Sequence, residues 1–369
     1  MSFPAWTQTG GDRLRAAGRY TLMVVAGVIL ITTLWGGLAR LGFPYSPVFP
    51  GAERNHGILM VGGFLGTLIG LERATALRLR WPWLVPLGGA SGGVLLLLDY
   101  PLFGGILITF AGATMTAVFF YIYYKQSVPH NALLALSAFC LFVGSALWTV
   151  GWPVHRLVYW WMGFLVLTIT AERLELNRVL VLDRFKKFSL IGGSLLFLGG
   201  LILSLGFHAY GNALTGLALV GLASWLLLFD IARRTASLGG KRAFVARSLL
   251  FGYVWLALGG ILLMLFPTAS SGYTYDSILH AVFLGFVFSM IFGHALTILP
   301  AVVDLPVSYH PLMYVPLVLL HFSVAVRLSA NYLGAPGLRL GGGVLNALAI
   351  ITFLLTSLGT VVLSSERSF

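Results

Sequence analysis

Cysteine is nearly absent from this chain: Cys140 is the single example among 369 residues. That excludes an internal disulfide, a cysteine-ligated iron–sulfur cluster and a CxxCH haem attachment. Charge is scarce as well. Only 9% of residues are Asp, Glu, Lys or Arg, against about a quarter in a soluble domain. Carboxylates are the rarer sign, 11 against 23 basic residues, and they gather at the ends of apolar runs. This distribution argues against proton pumping through acidic relays buried in the membrane. The resulting net charge of +12 would suit nucleic acid in a soluble protein. In a chain this apolar, anionic lipid headgroups are the fitting partner, and no nucleic acid is expected.

What is present is hydrophobic sequence, 58% of the chain with a mean hydropathy of +0.93. Twelve segments are long enough to cross a hydrocarbon core of about 30 Å. They cover residues 18–41, 55–74, 82–100, 103–124, 131–151, 154–174, 187–207, 211–232, 244–266, 275–298, 311–332 and 340–363. Short connections predict a single polytopic all-α membrane domain over 1–369. With the N-terminus in the cytoplasm, 18 basic residues fall inside and 5 outside, the outer ones being Arg40, Arg54, Arg156, Arg327 and Arg339. That asymmetry predicts cytoplasmic N- and C-termini. The first apolar run follows three arginines, as in a signal peptide. It is too long and lacks a small-residue cleavage site before Arg40, so it reads as helix 1. Cys140, inside an apolar run, reads as packing.

A histidine recurs near the start of every fourth segment, as His56, His155 and His280. Gly-Phe follows each, at Gly63-Phe64, Gly163-Phe164 and Gly285-Phe286. Segments 2 and 6 end in Glu72-Arg73 and Glu172-Arg173, which read as interfacial anchors. The period predicts four-helix units of about 18–124, 131–232 and 244–363 in a pseudo-threefold arrangement. Gly62, Gly66 and Gly70 form a stripe suited to close helix packing. By depth, His56, His155, His208 and His280 are outer, His130, His294 and His310 inner, and His321 central. Imidazole is costly in lipid and a favoured ligand for haem iron and copper, so an outer metal or haem site is expected. His155 and Tyr159 share one helical face. His280 and His294 lie about 21 Å apart along one helix, a spacing suited to two stacked haems, with His130 the candidate partner of His294. His294 also stands ahead of a turn at Leu299-Pro300, where it could cap backbone groups.

The run His56-Gly57-Ile58-Leu59-Met60 resembles the helix-2 HGxxM pattern of haem-copper oxidase catalytic subunits. There the histidine ligates the low-spin haem. His155, Val158 and Tyr159 look like the helix-6 pattern of that superfamily, in which the histidine binds copper beside the tyrosine. Twelve helices, an inner N-terminus and histidines in helix 10 also match. The sequence departs from the pattern in having Arg156-Leu157 in the helix-6 motif, one histidine (His208) at helix 7, and one outer histidine in helix 10. In size and organisation the chain is similar to the NnrS family, twelve-helix relatives carrying haem and copper and linked to nitric-oxide metabolism.

The resemblance implies haem b on His56 and His280, copper on His155 and His208, and Tyr159 as a catalytic group. A haem-dependent oxidoreductase of the bacterial inner membrane would follow. It would take electrons from a membrane or periplasmic donor and bind a small gas such as nitric oxide or oxygen. The alternative reading is a metal-free small-solute transporter or a membrane assembly protein.

Overall fold

The computed structural model describes residues 10–177, 183–303 and 308–366. Within them the chain is all-helical, with no strand. The helices are α1 (Gly10–Arg40), α2 (His56–Leu77), α3 (Trp81–Leu97), α4 (Pro101–Lys125), α5 (Pro129–Thr149), α6 (Val154–Leu176), α7 (Arg184–Gly206) and α8 (His208–Phe229). They continue with α9 (Gly240–Leu265), α10 (Gly272–Ile298), α11 (Pro311–Leu333) and α12 (Pro336–Glu366). Among the described residues, eleven of these are long and apolar enough to cross a membrane. The segment expected at 82–100 is the exception. Its helix, Trp81–Leu97, has 17 residues, or about 26 Å at 1.5 Å per residue, shorter than a typical hydrocarbon core. Of the basic residues behind the charge asymmetry, Arg178 and Arg367 lie outside the described residues.

The every-fourth-helix period separates inside from outside in the bundle. In α2, α6 and α10, 67%, 83% and 72% of the most apolar stretch is buried against protein. The other eight long helices range from 33% to 50%, because one flank faces outward. The three buried helices also meet one another. Trp161 of α6 lies against Gly57 of α2, Arg73 of α2 pairs with Glu172 of α6, and α10 packs on both. The remaining helices surround this core, largely by packing sequence neighbours together, and α12 returns to α1.

Two parts of the glycine stripe act as expected. A Cβ at Gly62 would run into Ile108 of α4, and one at Gly70 into Val85 of α3. Gly66 meets its surroundings at ordinary contact distance.

The α10 helix does not turn at Leu299-Pro300 but runs on to Val303 with Pro300 inside it. Proline lacks an N–H, so the carbonyl four residues earlier, on Leu296, loses its helical donor. Lys241 Nζ donates to that oxygen at 2.9 Å. The cap expected of His294 is therefore supplied by a lysine from α9.

Candidate functional site

The N-terminal parts of α2 and α10 bring His56 and His280 within electrostatic reach of one another. Each ring is fixed through Nδ1. His56 Nδ1 lies 3.0 Å from the Thr33 carbonyl of α1, and His280 Nδ1 lies 2.8 Å from the Asp276 carbonyl. The Asp276 carboxylate is also close to His280, at 3.2 Å. With Nδ1–H donating to these oxygens, Nε2 is the ring nitrogen left to meet a further partner in each case. No hydrogen bond among the described residues engages either Nε2. Backing of this kind at Nδ1 also orients the histidines of metal sites in general. Gly37 makes room for the first ring, since a Cβ there would stand 2.8 Å from His56 Cε1.

Local helix geometry marks the same pair. A π-helical segment, Leu59–Leu65, follows His56, and another, Ala281–Phe288, follows His280. Each contains the Gly-Phe step of the sequence repeat. A π segment inserts extra backbone per turn and so re-aims the residues on either side. Such segments are concentrated at functional sites. In α6, which carries His155, the corresponding Gly163-Phe164 step stays α-helical.

Around the two imidazoles the charge is mostly positive. Arg327 grips Asp276 with two bonds, Nε to Oδ2 at 3.0 Å and Nη2 to Oδ1 at 2.6 Å. Asn331 donates to the same carboxylate at 3.0 Å, and Arg339 stands 3.4 Å away. Arg40 lies within electrostatic reach of both His56 and Tyr275. Tyr275 is likewise within reach of Tyr159, which is fully buried. Both phenol hydroxyls, and the indole N–H of Trp161, are buried without a hydrogen-bond partner. Orphaned donors of this kind are rare in native interiors and call for an explanation.

The other outer pair expected from sequence is also brought together. His155 and His208 meet edge to face with ring centroids 6.1 Å apart. Asn212 Nδ2 lies 3.3 Å from His208 Nε2, and His208 Nδ1 is buried and unpartnered. No third side chain completes this pair. Among the described residues, no group of three or more His, Cys, Asp or Glu side chains could hold a metal ion.

The remaining histidines each have their own neighbours. His130 is 4.0 Å from Glu175, whereas His294 donates through Nδ1 to Met290 O and faces Arg173, Asp230 and Glu72. His310 caps a short helical turn by accepting from Leu312 N. His321 accepts from Trp255 Nε1 at 3.0 Å and lies 3.3 Å from Ser289 Oγ. Those two contacts satisfy both ring nitrogens, which marks His321 as a clamp between α9, α10 and α11.

The Glu-Arg ends also pair across helices. Arg73 bonds Glu172 at 3.1 Å, and Arg173, 3% exposed, bonds Asp230 at 2.8 Å. Tyr253 also donates to Asp230, at 3.0 Å. The other Asp230 oxygen accepts the Ala232 amide at 2.7 Å. The sequence showed these residues only as separate charges at helix ends. The buried role of Asp276 was equally hidden, because its partners lie more than fifty residues away.

No curated protein is significantly similar to the chain. A family model described as a domain of unknown function, DUF8744, matches residues 19–362. The match covers the whole helical bundle, and the chain belongs to the DUF8744 family.

Proposed function

We propose that this protein is a twelve-helix haem protein of the bacterial inner membrane, with cytoplasmic termini, acting in redox or nitric-oxide-related chemistry. Haem b is held near the outer face by His56 and His280. The observation that carries this reading is the paired geometry of the two imidazoles. Each is backed at Nδ1 by a carbonyl, open at Nε2, and set beside a π-helical segment. The setting fits the group in two further ways. The guanidiniums of Arg40 and Arg339 would complement an anionic edge such as a propionate. The unpartnered hydroxyls of Tyr159 and Tyr275 offer donors to a bound polar group.

Haem held by His56 and His280 would supply one-electron transfer. The protein's own residues do the rest. Asp276 holds His280 and Arg327 in place together, and Thr33 fixes the ring of His56. Tyr159 would offer a buried hydroxyl proton to a small polar ligand such as nitric oxide or oxygen, which would need a position of its own beside a haem held by both histidines. His155 and His208 are the candidate copper pair and would need a third ligand, water or substrate to complete a site. A membrane or periplasmic donor supplies the electrons.

Absorption spectra of the detergent-purified protein, oxidised and then reduced, test this reading. A Soret band is expected in the wild type, lost or shifted in His56→Ala and His280→Ala while both variants stay folded. An unchanged spectrum in both variants rejects the ligand pair. A wild type without a Soret band after haem supplementation rejects haem and selects the metal-free transporter or assembly reading.

A further inference from the structure

Two arginines of the α8–α9 region differ from those that the carboxylates of the bundle hold. Arg73, Arg173 and Arg327 are at least partly buried and bonded to carboxylates. Arg233 and Arg247 are exposed, and neither has a carboxylate partner among the described residues. Arg233 Nη1 donates only to the carbonyl of Leu228, at 3.2 Å. Arg247 Nη1 donates to the neutral hydroxyl of Tyr314, at 3.0 Å, with its guanidinium 5.7 Å from the centre of that ring. Most of the hydrogen-bonding capacity of both guanidiniums is therefore unspent.

These two arginines share a groove of about 670 Å3 on the outside of the bundle. Its walls are Leu227 and Leu228 of α8 and Leu250, Phe251 and Val254 of α9. Arg247, Leu250, Phe251 and Val254 follow the three- and four-residue spacing of one helical face. From Arg247 to Val254 that face advances about 10 Å away from the basic α8–α9 connection. The groove thus has a cationic end beside Arg233 and Arg247 and an apolar lane leading toward the middle of the bundle. Leu228, Phe251 and Val254 are each more than half exposed along it.

We propose that this groove is a binding site for an anionic phospholipid. The phosphate lies between Arg233 and Arg247, and one acyl chain lies along Leu250, Phe251 and Val254. Charge complementarity selects this occupant. Two guanidiniums without a protein counter-charge, at the head of an apolar lane, match an acidic headgroup joined to a hydrocarbon tail. A zwitterionic lipid fills the lane but brings its own cation to the arginines. The proposal is independent of the haem reading, since the groove shares no residue with the outer site.

Native mass spectrometry of the full-length protein, titrated with phosphatidylglycerol or phosphatidylcholine, tests it. The wild type is expected to retain phosphatidylglycerol in preference to phosphatidylcholine. In Arg233→Gln/Arg247→Gln the preference should weaken about thirtyfold, roughly a factor of five per arginine near an anionic headgroup. Tyr314→Phe, which removes only the neutral hydroxyl, should keep it. Val254→Trp, which fills the lane and leaves both charges, should weaken binding of both lipids. Equal retention of the two lipids by the wild type overturns the proposal. So does undiminished phosphatidylglycerol preference in the double variant.

Discussion

His56 and His280 each stand just ahead of a π-helical segment, which begins three residues after the first and one residue after the second. The two histidines are repeat-related in sequence and lie within electrostatic reach of one another. A wider helical turn behind each ring sets its direction relative to the rest of the helix. The geometry of the site is therefore built into the backbone as well as into the side chains.

Deleting Val61 should close the α2 π segment into ordinary helix and rotate His56 by about 100° relative to the inner half of α2. We expect loss of the Soret band with the helical circular dichroism retained. The substitution Val61→Ala, which keeps the residue count, should leave the band in place. A deletion variant with wild-type spectrum would show that the π segment does not position His56.

Copper is the second measurable quantity. His155 and His208 touch, and the metal expected between them depends on both. Metal analysis of the wild type and His155→Ala, at equal haem content, should show copper in the first and a clear loss in the second. If the wild type carries no copper, or the variant carries as much, the protein is haem-only.

Reporter fusions after Arg54 and Gly334 should report the outer side of the membrane, and fusions after Arg80 and Arg234 the inner side. The fusion after Arg80 matters most. Together with the Arg54 fusion it fixes the sense of α2, and a further fusion after Asp99 asks whether the 17-residue helix α3 spans the bilayer. An inner signal at Asp99 would make α3 re-entrant and break the even count.

The Arg173–Asp230 pair is closed to water, so breaking it should be costly. Arg173→Ala leaves the Asp230 carboxylate with one tyrosine, a distant amide and a backbone amide. A loss of about 3–5 kcal/mol in unfolding free energy is expected. Tyr253→Phe removes one hydrogen bond to a charge and should cost about 1.5–3 kcal/mol. Denaturant unfolding in detergent measures both, and equal costs would contradict the assigned hierarchy.

At the entry to α7, Asp183 caps the helix by accepting the Lys186 amide at 2.8 Å and pairs with Lys186 Nζ at 2.9 Å. The Lys186 contacts hold its carboxyl below the usual aspartate value. The contribution is thus full above the unfolded-state pKa and fades as pH falls through the lower folded value, in the range of about pH 4 and below. Hydrogen exchange of the first turn of α7 should accelerate there beyond its intrinsic pH trend. Asp183→Asn, which retains a cap and does not titrate, should abolish the extra acceleration.

Much of the architecture was legible before any coordinates, because hydrocarbon thickness and helical rise translate an apolar run directly into a spanning element. Eleven of the twelve expected segments became long apolar helices on that ground alone. The four-helix period of His56, His155 and His280 falls on the three most buried long helices among the described residues, a burial that the period alone did not state. The pairing of His155 with His208 was an expectation from resemblance, and the two rings do meet.

What only the tertiary structure decided is the fate of the charges. Glu72-Arg73 and Glu172-Arg173 look like interfacial anchors in a linear sequence, because local sequence records depth in the membrane but not which neighbour arrives at that depth. Asp230 and Asp276 are single carboxylates at helix ends until α6, α9 and α11 bring Arg173, Tyr253, Arg327 and Asn331 to them. The π segments were hidden for a related reason. Their residues are ordinary helix formers, and the extra residue per turn is imposed by the helices packed around them. Composition fixes where a helix lies relative to lipid, whereas partners fifty to a hundred residues away determine which polar groups it can keep inside.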